Sequence, residues 1–312
     1  MAGSKFVVYD RNVEQIVTGL APGVPAYAID ADEAHKTMGT VLAICRWLME
    51  VGADRDSMLL SVGGGCTSDI AGFAASIYKR GIKYANYPTT LLSMVDASIG
   101  GKTGVNLDGY KNMLGVIRYP ARIEIHPEFL STLPGNEFRS GAAEMLKTFI
   151  IDDRGGNYSK AVRLLSGPLD TDGLKPLIFA AGNIKRTIVD KDPFEENLRR
   201  VLNLGHTYGH AVEWWQSQEP GRPRYTHGEA VAIGIVQAAL LSERMGLCRA
   251  GLADRLVSDF KACGLPVDLP CPKEALLPAI LRDKKAAGDI INFVLIKNIG
   301  KVVVCGVPFS DL

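Results

Sequence analysis

The 312-residue sequence lacks a long hydrophobic run. Its most apolar stretch, residues 229–241, is interrupted by Gly234 and Gln237 and is too short to span a bilayer, so no membrane association is expected. The N-terminus, MAGSKFVVYDRN, has no apolar core behind a basic flank and does not read as a signal peptide. An excess of charge of one sign is missing too: 35 Lys+Arg stand against 34 Asp+Glu. That balance removes any bulk attraction to nucleic acid or to an anionic membrane, so a basic site must be local and built for a small anion. The six cysteines (Cys45, Cys66, Cys248, Cys263, Cys271 and Cys305) are scattered, with no C-x-x-C pair. Neither a disulfide framework nor a cysteine zinc site is expected, and reduced thiols in a cytoplasmic protein are. Internal repeats and low-complexity tracts are also absent.

What is present is ordinary for a globular chain, 47% hydrophobic and 22% charged residues, over a length that favours two domains sharing a cleft. Residues 5–9 (KFVVY) form a short strand pattern, 35–51 have helical spacing, and 57–62 (SMLLSV) read as a buried strand. A second helical pattern starts near Ser68-Asp69, and 83–87 is a further strand stopped by Pro88. This alternation predicts an α/β domain with a largely parallel sheet. Beyond Pro127 helical patterns dominate, with starts near Pro134, Leu174, Gly205 and Thr226, and β patterning returns at 290–304. The expected division is 1–127, α/β, and 128–312, mainly α-helical, with 118–132 as the hinge.

Two glycine clusters stand out. The first, in SMLLSVGGGCTSDI, follows a strand and opens a helix. Glycines there let the backbone approach a pyrophosphate at a helix N-terminus, although the G-x-G-x-x-G fingerprint is absent and a plain tight turn fits as well. The second, Gly100-Gly101-Lys102-Thr103-Gly104, is not a P-loop, because Asp96 stands where that motif needs glycine. It leaves Lys102 in a close-approach loop with Lys111-Asn112 nearby. These residues suit a phosphate monoester, or simply an exposed polar loop.

Three of five histidines, His206, His210 and His227, fall within 22 residues. His206 and His210 are four apart, on one helix face. Glu144 is a carboxylate inside an otherwise apolar helix, and it needs either a metal or a partner such as Lys147. Two histidines and one carboxylate would suit a catalytic divalent ion, but spacing does not choose between His206 and His210. Upstream, Glu195, Arg199 and Asn203 would share one face if 195–203 were helical, and with Lys185 they could grip a carboxylate. A surface Glu195–Arg199 ion pair is the plainer alternative.

Taken together, GGGCTSDIAGF, YKRG, PTTLLSMVDASIGGKTGVN, KNMLG, GAAEMLK, LNLGHTYGHA, HGEAVAIG and RDKK resemble the dehydroquinate synthase family nearly end to end. The resemblance implies an NAD-binding first domain and a metal- and substrate-binding second one. It places the metal, Zn2+ or Co2+, on Glu144, His206 and His227. NAD is placed along Asp10, Asn12, Glu33, Lys36, Gly64, Gly65, Asp69, Thr89, Thr90 and Lys111. Substrate hydroxyls go to Asp96 and Lys147, the substrate carboxylate to Lys185, Arg199 and Asn203, with Glu195 beside them. The phosphate goes to Lys102, Asn112, His210 and one lysine of Lys284-Lys285. Arg80 is implied to reach the phosphate across a homodimer interface.

The implied activity is the second step of the shikimate pathway. 3-Deoxy-D-arabino-heptulosonate 7-phosphate is oxidised by NAD+, loses phosphate, is reduced again, and closes by an aldol step to 3-dehydroquinate. The competing activities are a cyclase for a substrate without a carboxylate, and a metal-dependent polyol dehydrogenase. A non-catalytic nucleotide- or metal-binding protein is a third reading. Several features depart from the family pattern. Cys66-Thr67-Ser68 follow the glycines, Asn197 replaces a glycine, although asparagine also tolerates left-handed dihedrals, and the 214–224 loop is longer. The chain also begins close to the first nucleotide strand.

Overall fold

The computed structural model describes residues 3–282, 286–287 and 290–312. They fall into two compact units, Met1–Leu133 and Pro134–Leu312.

The first unit runs β1 (Lys5–Asp10), α1 (Glu14–Leu20), β2 (Ala26–Ile29), α2 (Met38–Glu50), β3 (Met58–Gly63), α3 (Gly65–Ile77) and β4 (Lys83–Pro88). A hairpin, β5 (Lys102–Leu107) and β6 (Tyr110–Ile117), and the short β7 (Arg122–Ile123) complete it. The five-stranded sheet has the order β2-β1-β3-β4-β7, and every neighbouring pair is parallel. β1 shows why its sequence is apolar without alternation. Phe6 and Val8 pack with Val41, Ile44 and Leu48 of α2 and Ile70 of α3, while Val7 and Tyr9 pack with Val17 of α1. Both faces of the sheet are covered, as a parallel sheet requires. The order turns back between β1 and β3, and such a switch point leaves a crevice outside the carboxyl ends of the strands.

Two expectations change here. α3 starts at Gly65, three residues before Ser68, because extended Gly64 (φ −78°, ψ −168°) already serves as its N-cap. The second glycine cluster is not a free loop. The left-handed residues are Gly100 and Gly101, and Lys102 opens strand β5.

The second unit comprises α4 (Gly135–Ile151), α5 (Asn157–Leu165), α6 (Thr171–Lys191), a 3-10 turn (Leu198–Asn203), α7 (His206–Ser217), α8 (His227–Arg244), α9 (Leu252–Ala262) and α10 (Leu277–Arg282). Strands β8 (Ala286–Ala287), β9 (Ile290–Asn298) and β10 (Lys301–Pro308) form an antiparallel sheet in the order β10-β9-β8. α4 is buried at every residue from Ser140 to Ile151, and α8 at every residue from Gly228 to Ala239. Helices apolar on all sides belong in a core. Glycines let α8 approach its neighbours closely. A Cβ on Gly234 would stand 1.9 Å from the Gly205 carbonyl oxygen of the α7 cap, and one on Gly228 would stand 2.0 Å from the Ser140 carbonyl oxygen of α4. Among the described residues no helix is long and apolar enough to cross a membrane.

The stretch 195–203 is not one α-helix. Glu195 has φ +62°, and helical turns resume only at Leu198, as 3-10. The left-handed residue is therefore Glu195 and not Asn197, whose φ is −140°.

Candidate active site

In the second unit, three side chains from three helices converge. Glu144 projects from the middle of α4 and is wholly buried. His206 is the first residue of α7 and His227 the first of α8. His206 Nε2 lies 3.9 Å and His227 Nε2 3.6 Å from Glu144 Oε1, and one ligand atom from each of the three falls within 4.8 Å of the others. Glu144 Oε1 accepts no hydrogen bond, a costly condition for a buried carboxylate oxygen. A cation between this oxygen and two imidazole nitrogens would remove the cost, so the donor set fits a divalent ion with open positions. The pairing with Lys147 exists as well: its ammonium contacts Glu144 Oε2, with both side chains almost fully buried. The metal and the ion-pair readings of Glu144 therefore use different oxygens of one carboxylate.

The second nitrogen of each histidine sets which one is available. His206 Nδ1 lies 3.1 Å from the Leu204 carbonyl, which can only accept, so Nδ1 carries the proton and Nε2 keeps its lone pair. His227 Nδ1 faces Glu213 Oε1 at 3.5 Å, and this has the same effect. Burial, then the positive charges of Lys147, His227 and His210, holds the His206 pKa well below its usual value. Burial opposes charge on His227 too, but the Glu213 hydrogen bond and charge, with Glu144, outweigh it and raise that pKa. A capping box, Thr226 with Glu229, starts α8 at His227. His210 is exposed, with its ring centroid 5.3 Å from that of His206, and it lies outside the trio. The structure thus groups His206, and not His210, with Glu144 and His227.

Beyond the trio, Lys185 and Arg199 are buried. Arg199 donates to the Pro193 carbonyl at 2.6 Å, and Asn203 Nδ2 donates to Glu195 Oε1 at 2.7 Å. Glu195 and Asn203 thus meet without a continuous helix between them. Asp192, the C-cap of α6, accepts from the backbone N–H groups of Glu196, Asn197 and Arg199. Those bonds, Arg199 first, hold its carboxyl below the usual range. Lys284 and Lys285 lie outside the described residues.

In the first unit, some of the expected nucleotide residues lie at strand ends: Gly64 and Gly65 follow β3, and Thr89 and Thr90 follow β4. Asp10 ends β1, and its Oδ1 accepts from the backbone and side-chain nitrogens of Asn12. The turn after β3 is tightly packed at two of its glycines. A Cβ on Gly63 would stand 2.3 Å from Thr67 Oγ1, and one on Gly65 2.8 Å from the Ala97 Cβ. Packing therefore fixes Gly63 and Gly65 as glycine, whereas a Cβ on Gly64 would stand 3.1 Å from Thr90 Cγ2 and ask only a small shift. Thr89 N donates to the Gly63 carbonyl, and Thr90 Oγ1 is bonded to Ser93 Oγ at 2.9 Å. Asp96 falls in a π-helical turn, Ser93–Ala97, a distortion that concentrates at functional sites.

Lys36 is buried and donates to Asp69 Oδ2 and Asn112 Oδ1, both at 2.6 Å. Asn112, expected beside Lys102 in the phosphate grip, is thus joined to the nucleotide residues Lys36 and Asp69. Asn106 Nδ2 donates to Glu33 Oε2 at 2.9 Å, and its Oδ1 accepts from Asn112 N at 2.8 Å. Lys102, Lys111 and Arg80 are exposed. Asn106, Asp192 and Glu213 are not among the residues singled out from sequence. The only signal for Glu213 is its place seven residues after His206, on the same side of α7.

A parallel nucleotide-type sheet and a helical unit with a two-histidine, one-carboxylate site define a metal-dependent enzyme that also uses a nucleotide. The family models for the 3-dehydroquinate synthase N-terminal and C-terminal regions match residues 26–140 and 141–286. A 3-dehydroquinate synthase from Acidithiobacillus ferrooxidans is 42% identical over 302 residues, covering 96% of this chain and 82% of the relative. Among solved structures, the 2-epi-5-epi-valiolone synthase ValA of Streptomyces hygroscopicus subsp. jinggangensis 5008, with NAD+ and Zn2+ bound, superposes with a TM-score of 0.87. It shares 27% identity, over 100% of this chain and 89% of that one. A 2-deoxy-scyllo-inosose synthase with carbaglucose-6-phosphate, NAD+ and Co2+ has the same fold, with TM-score 0.87, 24% identity and coverage of 99% and 88%. The chain belongs to the 3-dehydroquinate synthase family.

Proposed function

We propose that this chain converts 3-deoxy-D-arabino-heptulosonate 7-phosphate to 3-dehydroquinate and phosphate, using NAD and one divalent ion, Zn2+ or Co2+. The observation that carries the reading is the buried Glu144 oxygen facing two histidine Nε2 atoms, in a chain matched by the family along both units. Glu144, His206 and His227 would hold the ion, and the first-unit strand ends from Asp10 to Thr90 would hold the nucleotide. When bound, the two supply Lewis acidity at a substrate hydroxyl and a reversible hydride acceptor.

The chain's own residues bind and orient. Lys147, fixed against Glu144, is assigned to a substrate hydroxyl, and Asp96 to another. Lys185, Arg199 and Asn203 take the carboxylate as two cations and an amide. For the phosphate, the family resemblance implies Lys102 and Asn112 of the first unit, and His210 and one lysine of Lys284-Lys285 of the second. Fixing both anionic ends of one flexible substrate supplies much of the orientation that a multi-step reaction needs.

The homodimer is part of this reading. Lys79 and Arg80 are consecutive non-glycine residues with positive φ, +48° and +66°, on an exposed corner. Such a turn costs about 1–3 kcal/mol per residue, which is consistent with a demand to present Arg80 to a partner's phosphate. Six free thiols fit a reducing, cytoplasmic compartment.

The test mixes purified protein, the heptulosonate phosphate, catalytic NAD+ and Zn2+ while phosphate and 340 nm absorbance are followed. Many phosphates per NAD+ without lasting NADH is the expected result. Steady NADH growth on a simple polyol, with no phosphate released, would move the chain to the dehydrogenases.

A further inference from the structure

The carboxylate grip sits on an awkward piece of chain. Lys185 lies on α6, but Arg199 and Asn203 lie on a 3-10 turn, and between them the backbone must leave a helix, reverse and begin again. The reversal includes Glu195 at φ +62° and Asn197 at φ −140°, ψ −88°, neither of them a preferred conformation for its residue type. Asp192-Pro193 ends the helix and favours a turn. One side chain then holds that turn.

Asp192 closes α6 and is nearly buried. Its Oδ1 accepts from Glu196 N at 3.0 Å, and its Oδ2 from Asn197 N at 2.8 Å and Arg199 N at 2.9 Å. The Arg199 guanidinium returns to the Pro193 carbonyl at 2.6 Å, so Arg199 is held at its backbone and at its head by the same turn. The turn also brings Glu195 Oε1 onto Asn203 Nδ2 at 2.7 Å. With both Asp192 oxygens engaged by backbone amides, its charged form is stabilised where it stands.

We infer that Asp192 is the positioning residue of the substrate-carboxylate grip, joining the helix that carries Lys185 to the turn that carries Arg199 and Asn203. The inference rests on the carboxylate reading of those three residues given above. Asp192 touches no substrate. It acts by fixing where Arg199 and Asn203 stand.

Replacing one carboxylate oxygen by an amide in Asp192→Asn leaves a single acceptor for three donors. In the holoenzyme, KM for the heptulosonate phosphate is expected to rise at least about tenfold, as loss of a charged hydrogen bond predicts. Turnover should stay within about threefold, the pattern of lost uniform binding. NAD+ and Zn2+ affinities should be unchanged, as should binding of a carbocyclic sugar phosphate that has no carboxylate. A merely structural role would weaken all of these together. Arg199→Ala, measured in parallel, separates the two layers. If Arg199→Ala leaves KM unchanged, the carboxylate reading itself fails. If Arg199→Ala raises KM while folded Asp192→Asn does not, only the Asp192 inference is overturned. Should Asp192→Asn not fold, hydrogen exchange on the wild-type holoenzyme decides: protected amides at Glu196, Asn197 and Arg199 support the inference, and fast exchange at all three refutes it.

Discussion

Gly234→Ala adds one methyl group, and its effect can be worked from the packing. The new Cβ would stand 1.9 Å from the Gly205 carbonyl oxygen and 3.0 Å from Gly209 N. Real Cβ atoms essentially never approach another heavy atom closer than 3.0 Å, and the colliding oxygen is backbone, which cannot swing aside. The contact is therefore short by about 1.1 Å, and α8 and the start of α7 must separate by roughly that amount. Overpacking of this kind destabilises by about 1–3 kcal/mol. The functional consequence is larger, because Gly205 is the N-cap of the helix that His206 opens. Metal ligands are held to distances within about 0.2 Å. A shift of roughly an ångström should therefore remove most of the Zn2+ affinity.

The assay is chelator competition for Zn2+, beside thermal unfolding of the apo protein. The control is Gly19→Ala. Gly19 is exposed within α1 with nothing within 4 Å of an added Cβ and no positive φ, so this change should stabilise by about 0.5–1 kcal/mol and leave Zn2+ binding alone. A Gly234→Ala protein with wild-type Zn2+ affinity would refute the claim that this helix contact sets the metal geometry.

Glu213→Leu removes the acceptor that faces His227 Nδ1, and Zn2+ affinity by chelator competition should fall about 10–100-fold with the fold intact; an unchanged affinity would deny Glu213 that role. Burial pushes the Cys66 thiol up to about 12, so at pH 8 only about 10⁻⁴ of it is thiolate. Alkylation of Cys66, followed by peptide mass spectrometry, should be slow at pH 8 and rise about tenfold per pH unit up to at least pH 10; a plateau near pH 9 would contradict that. Lys36→Met leaves Asp69 and Asn112 without their shared ammonium donor, so NAD+ affinity by titration calorimetry should drop about tenfold or more; unaltered affinity would remove the cluster from the nucleotide site.

What sequence reveals about this molecule depends on the range of the physics involved. The strand–glycine–helix unit at β3 and α3 is local, and buried-strand and turn chemistry mark it within a few residues. The four helix starts near Pro134, Leu174, Gly205 and Thr226 fall within three residues of α4, α6, α7 and α8, because capping and glycine signals are local too. β2, only AYAI after Pro25, is too short to show a period, and it becomes a strand by pairing with β1. The hairpin β5–β6 is masked by its own glycines. The helix expected over 195–203 gives way to a left-handed Glu195 and to a turn in which Asp192 holds the Glu196, Asn197 and Arg199 amides.

The same contrast explains the metal site. That three of five histidines cluster is visible in the sequence, and so is the odd carboxylate on α4. Which histidine serves is not, since His206 and His210 share a helix face and have equal claims by spacing. Tertiary packing brings His206, and not His210, together with Glu144 and His227. His206 and His227 each begin a helix, and the glycine contacts of α8 with Gly205 and with Ser140 bring both helix starts against α4 at Glu144. A residue at the first position of a helix is fixed by the cap before it and by the packing behind it. His210, one turn further along, is exposed. The positions of Glu144, His206 and His227 relative to one another are thus set by backbone approach at glycines.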